Sequence, residues 1–210
     1  MNDAIRLRAA TARAAIEAGT LRGSALLAEI LAVPFGERDA WIDELLGFAA
    51  LPADAELPRG SVPYLPCSVE EIVTMVREVP VGADDILVDL GSGVGRVVIL
   101  AHLLTGARAV GIEIQEHLVA EARARCHALG VHGVSFEHAN AAEIELDGTV
   151  FFLYAPFNGE MLTAVIRRIE AVARRRPIIV AAVGVELDSV PWLSARTTSC
   201  VSLMLYDSHA

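Results

Sequence analysis

The stretch Val88-Asp89-Leu90-Gly91-Ser92-Gly93-Val94-Gly95-Arg96 decides how this chain is read. Apolar residues from Ile86 predict a short buried strand closing on an acid. Three alternate glycines then lead into the run Val97-Val98-Ile99-Leu100, which reads as a helix. Glycine lacks a Cβ and takes positive φ without strain, so such a turn lets backbone approach a ligand closely. It also delivers that ligand to the positive end of a helix. A dinucleotide fingerprint would read G-x-G-x-x-G. Here the spacing is G-x-G-x-G, Arg96 stands where the third glycine belongs, and Asp89 lies two residues before the first. A carboxylate there repels pyrophosphate and suits a ligand bearing an ammonium group.

Outward from the turn, strand and helix patterns alternate. Strands are predicted at 86–90, 109–113, 134–137, 150–154 and 178–183, with helices at 95–104, 116–129 and 160–173. Repeated β-α units with short apolar strands predict a parallel sheet between helical layers. Ser68 and Glu71 form a capping box opening a helix to Glu78, and 198–206 carries one more strand pattern. Upstream the chain reads as helical: 3–18 stopped by Gly19, a second helix capped by Ser24 and ending before Pro34, and a third over 37–50. Trp41, Ile42, Leu45, Leu46, Phe48 and Ala49 recur at helical spacing in the third, which predicts core packing. Pro52, Pro58, Pro63 and Pro66 then mark a connector. The expected organisation is a helical extension over 1–60 and a ligand-binding domain over 61–210. The fold class is α/β, Rossmann-like and doubly wound, with a mostly parallel sheet.

Asp89-Leu-Gly-Ser-Gly-Val-Gly95, followed by Gly111-Ile112-Glu113-Ile114, resembles motif I and the next acidic position of class I S-adenosylmethionine-dependent methyltransferases. The wording is most similar to the seven-strand lysine methyltransferases, including the non-SET histone enzymes and their bacterial relatives. The resemblance covers roughly 62–184. It implies an antiparallel last strand, an abbreviated sixth strand and S-adenosyl-L-methionine as cofactor, a molecule with an amino-acid end, a sulfonium and no phosphate. Asp89, Gly91, Ser92, Gly93 and Gly95 would then cradle the cofactor. Glu113, ending the second strand, would accept the ribose hydroxyls, and Ile114 would pack on the adenine. Asn140 falls where the family often has an aspartate for the adenine amino group; its amide oxygen can accept the same bond. Val62-Pro63-Tyr64-Leu65-Pro66-Cys67-Ser68 resembles a Tyr-x-Pro-Thr-Pro segment that covers the methionine end in some relatives. Tyr64 and Pro66 match, Cys67 and Ser68 depart, and a rigid linker is the competing reading.

The fourth strand ends in Tyr154-Ala155-Pro156-Phe157-Asn158, where the resemblance puts the transferred methyl and the acceptor. Adenine-methylating relatives carry Asn/Asp-Pro-Pro-Tyr/Phe there, and Ala155 lacks that polar side chain. Its carbonyl still faces the cofactor, while Pro156 and Phe157 are expected to touch the acceptor, Phe157 as an aromatic wall or as plain packing. Methyl transfer from a sulfonium needs orientation and exclusion of water, with a base only for a protonated nucleophile. Tyr154, Asn158 and Glu186 are the candidates for that part. No acid cluster stands at the fourth strand end, and no metal is expected.

The chain has 210 residues, 54% of them hydrophobic, and a net charge of −10 that opposes nucleic-acid binding. All 17 basic residues are arginine, which excludes lysine-based catalysis. Arg174-Arg175-Arg176 reads as a helix end offsetting its dipole. Cys67, Cys126 and Cys200 are far apart and read as reduced thiols of a cytoplasmic protein. No apolar run is long enough for a membrane span. The expected activity is methyl transfer to an N or O nucleophile of a small molecule or of a protein or peptide side chain. The N-terminal helices are candidates for a lid, a substrate pocket or a homodimer contact. A non-catalytic cofactor-binding regulatory module and a nicotinamide dehydrogenase are the competing classes.

Overall fold

The computed structural model describes residues 3–48, 57, 61–155 and 157–209. Five parallel strands run in the order predicted by alternation: β1 (Ile86–Leu90), β2 (Arg108–Glu113), β3 (Val134–His138), β4 (Val150–Tyr154) and β5 (Ile179–Val183). Two more, β6 (Leu193–Arg196) and β7 (Leu203–Ser208), complete a seven-stranded sheet of order β3-β2-β1-β4-β5-β7-β6. β7 pairs antiparallel with both β5 and β6. The succession of strands reverses at β1, with β2 and β3 added on one side of it and β4 and β5 on the other, and ligands of open α/β sheets bind at that switch.

Period-two alternation sends side chains of each strand to opposite layers. On one face Leu87, Ala109, Phe152, Ala181 and Leu205 join a core with the helices α1 (Asp3–Glu17), α2 (Gly23–Leu31), α3 (Arg38–Leu46), α4 (Val69–Glu78), α5 (Arg96–Thr105) and α6 (Glu116–Ala128). On the other face Val88, Leu90, Phe151, Leu153 and Val180 pack against Val165, Ile169 and Val172 of α7 (Gly159–Ala173). Trp41, Ile42, Leu45 and Leu46 of α3 are buried in the first of these cores, so the N-terminal helices share it with the sheet.

Three element boundaries differ from the sequence expectation. Gly23, at φ 55°, turns the chain before Ser24, so Arg22 takes the cap position of α2 without a side-chain bond. The third helix starts as a 3-10 turn over Phe35–Glu37 and stops at Leu46, because Gly47 adopts φ 81° and Phe48 N–H returns to the Asp43 carbonyl at 2.7 Å. That is the left-handed cap glycine favours; Ala49 and Ala50 lie outside the described residues. The strand expected over 198–206 starts only at Leu203 as β7, after a turn, and β6 lies upstream of it, where none is expected. The Thr198 hydroxyl donates to the Leu203 carbonyl at 2.8 Å and accepts from Cys200 N–H at 3.2 Å, satisfying turn backbone that would otherwise pair in a ladder.

The Ser68–Glu71 capping box forms as read: Glu71 N–H reaches Ser68 Oγ at 3.4 Å, and Ser68 N–H reaches Glu71 Oε2 at 3.0 Å. Ser68→Ala removes the acceptor for one orphan helix donor. Urea denaturation should report a loss of about 1 kcal/mol with an unchanged m-value.

Candidate active site

β1 ends in Asp89, whose side chain lies in a cavity at the carboxyl edge of the sheet and is only 3% exposed. Gly91, Gly93 and Gly95 follow at φ 88°, 53° and 86°, a backbone that side chains rarely adopt. The turn is bolted to β2 through its backbone: Gly91 N–H and Ser92 N–H both reach the Ile112 carbonyl, at 2.8 and 3.1 Å. The buried Glu113 carboxylate finishes the job, accepting Gly93 N–H at 2.8 Å on one oxygen and Gln115 N–H at 2.9 Å on the other.

Charge inside the cavity is unbalanced on the acid side. Asp89 is pushed well above the usual carboxylate range, first by burial and then by the Glu113 carboxylate nearby. Ser92 Oγ is buried with no hydrogen-bond partner. A buried carboxyl and an orphaned hydroxyl at one turn are what a polar, cation-bearing ligand would satisfy. Among the described residues no group of three acidic, histidine or cysteine side chains could hold a metal ion.

The connector closes over this turn. A Cβ on Gly93 would lie 2.1 Å from a Tyr64 ring carbon, so the ring rests directly on the glycine. Ser61 pairs with Phe157 in an isolated antiparallel bridge, which seats the connector against the fourth-strand loop. Cys67 donates its thiol to Glu71 Oε2 at 3.2 Å, and burial pushes that thiol up, so it stays protonated. The enclosed space left between these walls is about 60 Å³.

The cavity brings together Tyr64, Asp89, Gly91, Ser92, Glu113, Ile114, Asn140, Tyr154, Ala155 and Phe157. Asn140 spends part of its amide on its own turn: Oδ1 accepts Ala142 N–H at 3.1 Å, and Nδ2 donates to Glu143 Oε1 at 2.8 Å. One further lone pair and one further N–H remain for a ligand. Ala155 holds φ 40°, against Gly184, at the mouth of the site. Such strain in a non-glycine residue is characteristic of functional loops. Burial raises Tyr154 above the ordinary phenol value, so its hydroxyl is neutral near pH 7.

Two candidates stand apart from the cavity. Asn158 is exposed at the start of α7 and makes no capping bond with its side chain. Glu186 lines a different cavity of about 630 Å³, with Leu187, Val190 and Trp192 against α7. That cavity is larger but holds neither the glycine turn nor the buried acid pair. Pro156 lies outside the described residues.

Arg96 is the residue sequence reasoning passed over, having noted it only as a missing glycine. It is 3% exposed and lines the cavity from the first turn of α5. The available signal was an arginine opening a helix whose other residues are nearly all apolar, since a buried cation requires built partners.

Residues 63–145 match the family model of the histone methylation protein DOT1. A protein-lysine N-methyltransferase of Saccharolobus islandicus is 35% identical over 105 residues, which span 48% of this chain and 65% of that protein. Among solved structures, an RNA methyltransferase of Salinibacter ruber in complex with S-adenosyl-L-homocysteine superposes with a TM-score of 0.56 at 28% identity, covering 69% of this chain and 92% of that one. A precorrin-6y C5,15-methyltransferase of Geobacter metallireducens shares the fold at a TM-score of 0.50 and 17% identity, over 70% of this chain and 90% of that one.

Gly93→Ala forces a Cβ into the Tyr64 ring at an unfavourable φ. Thermal unfolding should show a loss of about 1–3 kcal/mol, and adding Tyr64→Ala should recover only the steric part. Asp89→Asn tests the buried charge. A carboxyl raised on folding contributes full stability below its unfolded pKa and loses it as pH climbs toward the folded value. The variant should therefore melt higher than wild type at neutral pH, with the difference closing under acid; an unchanged pH profile would contradict the assignment.

Proposed function

We propose that this chain, a class I methyltransferase by its fold and its glycine turn, transfers the methyl group of S-adenosyl-L-methionine to the side-chain amine of a protein or peptide. The observation that carries the cofactor reading is the buried Asp89 carboxyl beside the three-glycine turn and near Glu113. Asp89 would receive the ammonium of the cofactor's amino-acid end, which returns to that carboxylate the countercharge it lacks. Ser92 Oγ, without a partner, is available to the same end. Glu113 has lone pairs beyond those taken by Gly93 and Gln115 N–H, enough to accept ribose hydroxyls. Ile114 and Asn140 line the end where an adenine would lie, and Tyr64 would cover the methionine portion.

When bound, S-adenosylmethionine supplies a methyl carbon activated by a sulfonium leaving group. The protein's contribution is alignment of the nucleophile and exclusion of water. Tyr154 and the Ala155 carbonyl flank the cavity mouth, with Phe157 beside them. A neutral Tyr154 hydroxyl and a carbonyl can both accept from an incoming amine, fixing its lone pair toward the methyl carbon. Because Tyr154 stays protonated, it orients the amine rather than serving as an ionised base. The amine's first proton would leave to solvent before the aromatic wall closes on it.

Similarity to the protein-lysine enzyme and to the histone methylation family supports an amine on a protein as acceptor. The Salinibacter neighbour raises RNA as the second reading. The net charge of −10 favours a basic protein over a polyanion. Free Cys67, Cys126 and Cys200 support a reducing, cytoplasmic setting. No helix among the described residues is long and apolar enough to cross a membrane.

Methyl-labelled S-adenosylmethionine, incubated with the protein and with separate basic-protein, RNA and small-molecule pools, should label the protein pool on lysine. Label in RNA alone would replace this acceptor with the second reading. Glu113→Ala should weaken binding of S-adenosyl-L-homocysteine at least about tenfold by calorimetry, roughly 1.4 kcal/mol. Affinity of the wild type should rise with pH past the ordinary carboxylate range, because binding calls for an ionised Asp89 and burial on folding pushes its carboxyl upward.

A further inference from the structure

We infer that Arg96 is a positioning residue through which α3 holds the Tyr64–Cys67 segment over the glycine turn, making the N-terminal helices part of the cofactor site. The inference rests on the reading of the cavity given above. Arg96 Nη1 donates to the Cys67 carbonyl at 2.8 Å, and Nη2 donates to the Asp39 carbonyl at 3.0 Å. Nη2 also lies 3.1 Å from Asp39 Oδ1 and 3.2 Å from Asp43 Oδ1. One side chain, rooted in the turn that should hold the cofactor, thus grips two positions on α3 and the connector at once.

Asp39 extends the tie, because its Oδ1 accepts Val69 N–H at 2.8 Å at the start of α4. α3, the connector and the N-terminus of α4 therefore meet on a single guanidinium. Cys67 is three residues from Tyr64, with Pro66 between, and the Tyr64 ring lies on Gly93. Proline restricts both its own φ and the conformation of the residue before it. Orientation fixed at the Cys67 carbonyl is accordingly passed back to the ring with little slack. Neither Asp39 nor Asp43 lines the cavity. Their effect on a ligand would have to travel through Arg96.

The guanidinium geometry explains why this is arginine. Planar and forked, it can serve carbonyls and carboxylates in different directions, which an ammonium on a flexible stem does poorly. Arg96→Lys keeps the charge and discards the fork. Asp43→Asn removes one carboxylate without touching the connector.

Two measurements separate the parts of this inference. The first needs no cofactor: in a Cys126→Ala, Cys200→Ala background, Cys67 is the sole thiol, and its labelling rate by a maleimide reports how firmly the segment is held. Arg96→Lys should raise that rate at least about tenfold and Asp43→Asn about threefold, with both variants still melting cooperatively. Unchanged rates in both overturn the inference. The second is S-adenosyl-L-homocysteine affinity in a double-mutant cycle with Tyr64→Ala. Arg96→Lys should weaken binding about tenfold alone and under about twofold once the Tyr64 ring is gone. Equal losses in both backgrounds would mean that Arg96 acts on the fold in general and not through Tyr64. Absence of binding by the wild type would overturn the cofactor reading instead, leaving the labelling result to judge the tie.

Discussion

A single buried guanidinium holds this structure together where it matters. Arg96 cannot shed its proton, so burying it at the first turn of α5 obliges the fold to bring acceptors to it. The fold brings two carboxylates from α3 and two carbonyls, one from α3 and one from the connector. Those partners come from two stretches of chain, both distant from α5 in sequence. Through these bonds the helical layer, the connector and the glycine turn are tied at one side chain.

The opposite charge problem is left open beside it. Asp89 lies near the end of β1 with Glu113 as neighbour, and burial and then that neighbour push its carboxyl well above the usual range. Glu113 clamps the turn to the end of β2, accepting one backbone N–H on each oxygen. A cationic ligand group resolves the acid excess without any rearrangement of the sheet. Around these groups the backbone carries the conformations that a close-fitting ligand demands: positive φ at three glycines of the turn and at Ala155 across the cavity. The strain is local, and the strands on either side are regular and buried.

Much of this is legible in the primary structure because it is periodic or local. Strand-helix alternation needs only apolar spacing, and each of the five parallel strands appears within a residue or two of its expected place. The Ser68–Glu71 box is contained in four residues and forms as read. Boundaries set by one residue's backbone were harder. Gly23 and Gly47 moved helix ends because a positive φ acts before periodicity can. Thr198 delayed the final strand to Leu203 by offering its hydroxyl to the turn backbone, a competition that spacing alone does not reveal.

Sequence by itself determined the parallel strands of the sheet and the glycine turn with its acids, since these depend on near neighbours and on strand ends that topology brings together. Tertiary structure alone decided that Glu186 faces a separate cavity, that Tyr64 rests on Gly93, and that Arg96 reaches α3. These are contacts between stretches far apart in the chain, chosen by which layer each loop packs on. A charged side chain's destination is fixed by where its counter-charges can be assembled, and that is a property of the folded whole.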